Sequence, residues 1–161
     1  MKRAITPTRE TLEQHAKLIP EINPSSVIAM LRVLEASSAI QHAVIDVLER
    51  EYQLSEGKLC VMIILHQTND GVAPSKLAEL AGVTRATISA MIQRMTRDGL
   101  VDSLSDATDG RAKKVCLTPK GRSFMDGVLP EHYLRITKLM GRLSEEEQKE
   151  LIILLKKIVG A

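Results

Sequence analysis

Side chains that can pair with base edges and with phosphates recur at helical spacing between residues 84 and 97. At about 100° per residue, one outer face collects small, polar and cationic residues: Ala86, Ala90, Gln93 and Arg97, flanked by Thr87, Ser89 and Arg94. A glutamine amide can pair with an adenine edge, methyl groups can contact thymine, and arginines can pair with phosphates. No Asp or Glu lies between Thr84 and Arg97. A solvated helix face would explain the arginines but not that lack, so the pattern favours binding in the major groove of DNA.

The residues before this helix predict a helix-turn-helix that would hold it in place. Pro74 suits the first position of a short helix, because its missing N–H would be unpaired there. Ala78 and Ala81 permit close helix contact, and Gly82 can adopt the positive φ of a tight turn. The side of the second helix opposite the polar face is apolar and consists of Ile88, Met91, Ile92 and Met95. Two ordinary helices joined by a glycine are the alternative interpretation.

A two-stranded hairpin is predicted to follow. Gly99 ends the second helix, residues 100–104 and 113–117 have strand character, and the residues between them form a polar turn. Asp109-Gly110-Arg111 lies in that turn, and taken alone it would be a surface ion pair. Thr118-Pro119 is a cap followed by proline, so a long helix is predicted to start there.

The chain resembles the MarR family of transcriptional regulators, in element order over roughly residues 26–160 and most specifically over residues 77–121. The resemblance is carried by Leu100-Val101 after Gly99, by Asp109-Gly110-Arg111, and by Val115-Cys116-Leu117-Thr118 with Gly121 shortly after. It implies a mainly α fold with a small β-hairpin wing, that is, a winged helix-turn-helix plus a helical dimerisation region. It also implies that Arg111 enters the minor groove while Asp109 holds it in position. A narrow minor groove attracts arginine, and a paired carboxylate orders the guanidinium.

The resemblance, together with the polar helix face, predicts the DNA-binding residues. Two positions depart from the family pattern: Ala90 stands where a basic residue is frequent, and Ala73 replaces a polar cap, which leaves the phosphate contact there to Ser75. The predicted set is Ser75, Thr84, Arg85, Ala86, Thr87, Ser89, Ala90, Gln93, Arg94, Arg97, Asp109, Arg111 and Lys113.

The remaining segments predict a dimer. Residues 1–24 form an arm with one short helix, 25–54 and 119–161 form the helical dimerisation region, and 55–118 form the DNA-binding lobe. Ser25 is expected to cap the first long helix, Ser55 the next one, and Ser144 with Glu147 forms a capping box for the last helix. The last two helices carry more apolar residues than one face of a monomer can bury, which indicates a homodimer on a pseudo-palindromic double-stranded operator. Packing of all these residues against the helix at 26–52 of the same chain is the alternative.

The family resemblance also implies a small anionic or aromatic effector between the dimerisation helices and the DNA-binding lobe. The residues expected there are His42, Ile45, Asp46, Glu49, Met62 and His66. Aromatic residues make up only 2% of the chain, which argues against strong stacking of an aromatic ligand. Packing or solvation is the alternative role for each of the six.

Composition excludes several other classes of protein. No paired nucleophile and base, glycine-rich phosphate loop or metal-ligand spacing is present, so we expect neither an enzyme nor a cofactor nor a metal. The net charge of +2 hides a basic middle third, with nine Lys and Arg against five Asp and Glu in residues 72–122. No signal peptide or long apolar run is visible, which predicts a soluble cytoplasmic protein without a membrane span.

The sequence therefore predicts a dimeric repressor that a small-molecule effector releases from DNA. A regulator that senses oxidants through a thiol is the first alternative. Cys60 and Cys116 are both expected to be free, Cys60 in the core and Cys116 on an outward-facing strand position. A winged helix that binds protein instead of DNA is the second alternative, which the basic helix face and Arg111 disfavour.

Overall fold

The computed structural model describes residues 6–68, 70–105 and 113–160, and within them it has the predicted mainly helical fold with a small hairpin. The elements in chain order are α1 (Arg9–Leu18), α2 (Pro24–Ile40), a π-helical turn (Gln41–Ile45), α3 (Asp46–Tyr52), α4 (Glu56–His66), α5 (Pro74–Leu80), α6 (Arg85–Arg97), β1 (Val101–Ser105), β2 (Lys113–Leu117), α7 (Pro119–Met140) and α8 (Glu145–Val159). The chain divides between Ala43 and Val44 into two compact units.

The first unit contains α1 and α2, and its helix starts are set by side-chain caps. The Thr8 hydroxyl accepts from the Thr11 amide at 3.2 Å. The predicted cap of α2 is wrong by two residues: Asn23 Oδ1 accepts from the Ser26 amide at 3.1 Å, and Pro24 takes the first helical position. The Ser25 side chain instead accepts from the Arg9 guanidinium at 3.1 Å.

Residues Pro24–Tyr52 form one helical run, with the π turn inside it, that is long and apolar enough by length and composition to cross a membrane, with a mean hydropathy of 1.2. A single helix of this kind is weak evidence of a membrane span. Its apolar residues are interspersed with Ala, Ser and the exposed Arg32–Glu35 ion pair, so that no unbroken apolar run marks it in the sequence. A helix with these properties also occurs in soluble proteins, where other helices cover it.

The second unit has an aliphatic core, as the low aromatic content predicted. The residues that are at most 1% exposed come from α3 to α7 and both strands, and include Leu48, Val61, Met62, Leu65, Leu77, Ile88, Met95, Val101, Val115 and Met125. Tyr52 and Phe124 pack against this core and meet edge to face, with ring centroids 6.4 Å apart. The helix-turn-helix and the hairpin thus share a single core.

The hairpin pairs in antiparallel register and is extended by one residue from outside it. Val101 pairs with Leu117 and Ser105 with Lys113. Val72 adds a bridge to Val115, with N···O distances of 2.8 and 2.9 Å. Gly71 precedes it at φ +70°, and a Cβ there would lie 2.9 Å from the Val115 carbonyl oxygen. The short segment before α5 is therefore held against the base of the hairpin.

Strand β1 begins at Val101 rather than at the predicted Leu100, because Leu100 belongs to the end of α6. The Leu100 amide donates to Met95 O at 2.9 Å and the Gly99 amide to Thr96 O at 2.9 Å, with Gly99 at φ +72°. These two bonds form a Schellman motif, which requires a left-handed residue at the glycine position. The chain thus turns from the helix into the hairpin without a loop.

The start of α7 packs directly on this turn, in what we call the Thr118–Gly121 joint. The Thr118 hydroxyl donates to Gly99 O at 2.7 Å and accepts from the Gly121 amide at 2.9 Å. The Thr118 amide donates to Leu100 O at 3.1 Å. A Cβ on Gly121 would lie 2.0 Å from that same Leu100 oxygen. Only a residue without a side chain can occupy this position while the backbones remain where they are.

We expect Gly121→Ala to destabilise the protein by about 3 kcal/mol or more, since the methyl group would overlap backbone that cannot move without breaking the joint. Gly127→Ala on the same helix is the matched control, because a Cβ there has no atom within 4 Å. That control should be neutral or gain roughly 0.5–1 kcal/mol from helix propensity. Urea unfolding at one protein concentration measures both, and equal stability of the two variants would contradict the steric argument.

Candidate nucleic-acid interface

The predicted DNA-contacting residues of the helix-turn-helix form an accessible surface. Ala90 is half-buried, and the other predicted residues of α5 and α6 are exposed: Ser75, Thr84, Arg85, Ala86, Thr87, Ser89, Gln93, Arg94 and Arg97. Lys113 is exposed at the start of β2. Asp109 and Arg111 lie outside the described residues. The structure thus brings the helical part of the predicted site together on α6 and the start of α5.

The N-terminal end of α6 is fixed by its own threonines. Thr84 Oγ1 accepts from the Thr87 amide at 3.1 Å, and the two hydroxyl groups lie 2.9 Å apart. A threonine cap of this kind stabilises a helix by about 1 kcal/mol. Thr84 therefore has a structural role beside any contact with DNA. Arg85 follows it at the exposed first position of the helix.

The inner side of α6 sets the rotation of the helix about its own axis. Ile88 and Met95 are at most 1% exposed, and Met91 and Ile92 pack partly buried against the same core. On α4, Gly57 makes room for Met91, since a Cβ there would lie 2.7 Å from Met91 Cε. Because this apolar stripe is anchored, the opposite face with Ala86 and Gln93 points outwards, as predicted from the helical period.

The C-terminal end of α6 is fixed by two lysines that the sequence prediction missed. Lys58 Nζ on α4 lies 3.1 Å from Asp98 Oδ2, and Lys120 Nζ on α7 donates to Asp98 O at 2.8 Å. The hydrogen bond from Lys58 is the main cause that lowers the pKa of the Asp98 carboxyl, and partial burial opposes it. The charges of Lys58, Arg97 and Lys120 lower the pKa further. The signal available in the sequence was Asp98 itself, an acidic residue directly after a helix whose charged residues are all cationic.

A groove of about 760 Å³ runs beside the outer face of α6. It is lined by residues from α3, α4 and α6 and the loop between the first two: Glu49, Gln53, Ser55, Lys58, Ala86, Thr87, Ala90, Met91, Arg94, Arg97 and Asp98. The Lys58–Asp98 pair neutralises itself and Glu49 offsets one further positive charge, so Arg94 and Arg97 leave the groove with a net charge of +1. Neither arginine side chain makes an ion pair within the described ranges. The groove can therefore accept an anion or the edge of a polyanion.

A second groove of about 600 Å³ lies between α5 and the start of α6. Its polar lining is Ser75, Lys76, Glu79, Thr84 and Arg85. Lys76 and Glu79 pair with each other at 2.6 Å. Ala73, at the position before α5, provides no side-chain cap, and the same is true of Ser55 before α4, where a cap was expected. Ser75 thus remains an exposed hydroxyl at the first turn of α5.

The structure describes the surroundings of each of the six residues predicted for an effector. Met62 is fully buried in the core, and His66 Nε2 contacts Asp126 Oδ1 at 2.8 Å. Ile45 and Asp46 are half-buried, whereas Glu49 is exposed and lines the groove beside α6. His42 belongs to the first unit, where its Nδ1 lies 2.7 Å from Ser38 O. The effector site stays a prediction, with Glu49 the residue that lines a described groove.

The two cysteines are free and half-buried. The expectation that Cys60 lies in the core was therefore only partly right, because one side of α4 near its middle remains accessible. The Cys116 thiol donates weakly to the Asp102 carbonyl oxygen, with a sulfur–oxygen distance of 3.8 Å. In the described part of the chain, no group of three His, Cys, Asp or Glu residues is arranged to hold a metal ion.

Comparisons with known proteins agree with this geometry. A sequence model of the MarR family matches residues 58–112, the segment that contains most of α4, the helix-turn-helix and β1. The transcriptional repressor YetL of Bacillus subtilis is 28% identical over 153 residues, which cover 92% of this chain and 89% of YetL. The transcriptional regulator HosA of Escherichia coli is 35% identical over 90 residues, which cover 56% of this chain and 67% of HosA.

A solved structure shows the same fold. The MarR family regulator Sco3205 of Streptomyces coelicolor, crystallised in complex with DNA, superposes with a TM-score of 0.77 over 85% of this chain and 87% of Sco3205. The sequence identity is 19%, so the likeness concerns the fold. Winged helix-turn-helix architecture is thereby confirmed for this chain.

The Lys58–Asp98 pair predicts a specific response to acid. A carboxyl whose pKa is lower in the folded state stabilises the fold above its unfolded pKa, near 3.9, and this contribution is lost as pH falls through the folded value. We therefore expect Asp98→Asn to lose less stability than the parent between about pH 5 and pH 2. Urea unfolding at a series of pH values measures this, with the exposed Asp70→Asn as control. If the free energy of unfolding of Asp98→Asn fell with decreasing pH as steeply as that of the parent, the stabilising role of the ion pair would be contradicted.

Proposed function

The chain belongs to the MarR family of DNA-binding transcriptional regulators, and on this premise we propose that it is a cytoplasmic homodimeric repressor released by a small-molecule effector. Members of the family are regulators rather than enzymes. YetL, which aligns with almost the whole chain, is named a repressor, and this supports the proposed direction of regulation.

The observation that carries the proposal is the outer face of α6. Its apolar stripe is anchored in the core, both helix ends are fixed by hydrogen bonds, and the exposed side bears Gln93 and Arg94 without an acidic residue before Asp98. A rigid helix with small residues at its start can seat deeply in the major groove. We propose that α6 reads the bases, that Ser75 and the arginines contact phosphates, and that Arg111, held by Asp109, enters the minor groove.

Exposed apolar side chains support the homodimer. In the first unit, α2 exposes Met30, Val33, Leu34 and Ile40; in the second, α7 and α8 expose Tyr133, Leu134, Ile152, Ile153, Leu154, Leu155, Ile158 and Val159. No residue of α2 or α8 is buried. Apolar surface of this extent in a water-exposed chain indicates an interface. A second copy covering it would also account for the apolar composition of the Pro24–Tyr52 helix, and two copies would read a pseudo-palindromic operator.

The groove beside α6 suggests how an effector releases DNA. Its cationic lining suits an anionic ligand, and Glu49, one of the residues predicted for the effector, lies in it. A ligand there would contact Ala86, Thr87 and Ala90, which are the residues proposed to seat in the major groove. Effector and DNA would then compete for one face of α6, so that repression ends when the ligand binds.

The DNA-binding proposal predicts two different classes of variant. Arg111→Ala should weaken binding to every operator variant by a similar factor and lower the slope of log affinity against log salt by about one unit. Gln93→Ala should instead change the preference at one base step by roughly 1–3 kcal/mol. Fluorescence anisotropy on a panel of operator variants at several salt concentrations measures both. The exposed Gln14→Ala on α1 is the control for Gln93→Ala and should bind as the parent does.

Asp109→Ala separates positioning from net charge. Removing a negative charge should strengthen binding to DNA if charge alone matters, whereas it should weaken binding if Asp109 orders Arg111. If Arg111→Ala and Asp109→Ala both bind as tightly as the parent, the wing does not contact DNA and this part of the proposal is wrong.

The dimer proposal predicts that charge placed on the apolar face of α8 separates the subunits. The double variant Ile152→Lys with Leu155→Lys should sediment as a monomer at micromolar concentration, while the parent sediments as a dimer. Glu150→Lys on the same helix changes the charge by the same two units at an exposed polar position, and it should remain dimeric. Circular dichroism checks that the helices persist. A monomeric parent, or a dimeric double variant, would rule out this interface.

A further inference from the structure

Asp98 is an acidic residue in a place where simple electrostatics disfavours one. It sits at the C-terminal end of α6, where the helix dipole favours cations, and next to Arg97 on a surface proposed to bind a polyanion. It is the first acidic residue after Glu79, so the whole of α6 is free of negative charge. A carboxylate in this position lowers the affinity for DNA by charge repulsion, so a structural role is needed to explain its presence.

The contacts of Asp98 join three elements at one point. Its carboxylate binds Lys58 of α4 at 3.1 Å, and its carbonyl oxygen accepts from Lys120 of α7 at 2.8 Å. The Lys58 side chain is only 20% exposed, so its ammonium is directed at Asp98 rather than into solvent. The close approach of Gly57 to Met91 is a second point at which α4 meets α6, near the middle of that helix. The carboxylate adds a contact between α4 and the C-terminal end of α6.

The tilt of α6 matters for base recognition because a small rotation of a long helix moves its far end by more than a base contact tolerates. Thirteen residues span roughly 20 Å, so a rotation of about 10° about the Thr84 end would displace the other end by roughly 3 Å. Such a shift is as large as a hydrogen bond is long. Phosphate contacts by long arginine side chains adapt to such a shift, whereas a bidentate pair from Gln93 to a base edge does not.

We infer that Asp98 is a positioning residue for sequence recognition: by binding Lys58 it fixes the tilt at which α6 presents Gln93, and so it separates the operator from other DNA. The inference rests on the proposed role of α6 as the reading helix. In this arrangement Asp98 lowers total affinity for DNA and raises selectivity. Selectivity, the ratio of affinities for operator and scrambled duplex, is the quantity that the pair controls.

The test uses variants whose charge effects have opposite signs. Asp98→Asn removes a negative charge and Lys58→Gln removes a positive one, so an effect of charge alone would raise the affinity of the first variant for all DNA and lower that of the second. A positioning role predicts instead that both lose selectivity, each on the order of tenfold. The probes are a genomic duplex selected by the full-length protein and a scrambled duplex of the same composition, measured by anisotropy at two salt concentrations.

Rescue and control variants complete the design. Lys58→Asp combined with Asp98→Lys restores the net charge and an ion pair of opposite polarity, and it should recover selectivity to within about threefold of the parent. Asp70→Asn changes an exposed carboxylate outside α4, α6 and α7, and it should keep the selectivity of the parent. Thermal unfolding confirms that every variant is folded at the temperature of the assay.

The outcomes separate this inference from the function on which it rests. Unchanged selectivity in Asp98→Asn and Lys58→Gln, or failure of the swapped pair to restore it, overturns the positioning role. If Gln93→Ala changes the base preference in the same assay, the reading role of α6 stands despite that failure. If Gln93→Ala leaves base preference unchanged in a parent that discriminates, the reading role of α6 and the inference both fail.

Discussion

The backbone contact between Gly121 and Leu100 is the constraint on which the DNA-binding lobe depends. Because Gly121 has no side chain, the first turn of α7 can lie against the Leu100 carbonyl, and the Thr118 hydroxyl can reach Gly99. The same few residues end α6, start β1 and start α7. Lys120, in the same turn, then reaches the Asp98 carbonyl. Helix α6, the hairpin and α7 are thereby fixed relative to one another by neighbouring hydrogen bonds in addition to their shared core.

The inner and outer sides of α6 have different roles. The inner side and the two ends hold the helix through Ile88, Met95, the Thr84 cap and the Asp98 contacts. The outer side makes few contacts within the protein, and its polar groups are available to a ligand or to DNA. A groove on that side gives a small anion and a phosphate backbone access to the same arginines. Binding and release can then use one surface, without any change in the core.

Local patterns in the sequence were sufficient to predict most elements. The caps at Thr118 and Ser144, the stop at Gly99 and the apolar stripe of α6 all depend on residues close in sequence, and they are found as predicted. One error is local: Ser25 was expected to cap α2, whereas Asn23 caps it and Pro24 lies inside the helix. The contacts of Asp98 were missed because the two lysines come from helices 40 and 22 residues away. The full burial of Met62 likewise depends on tertiary packing that helical spacing alone does not reveal.

The residues that fix α6 in place are different from those on its outer face, and this difference has an evolutionary consequence. Gly99, Thr118 and Gly121 depend on one another through backbone atoms and the Thr118 hydroxyl, so a change in one of them is not compensated by a neighbouring side chain. Ala86 and Gln93 are exposed on α6 and take no part in this joint. On the proposed role of α6, paralogues that arise by gene duplication would therefore acquire new operators through substitutions on one helix face, while the joint that carries this face remains unchanged.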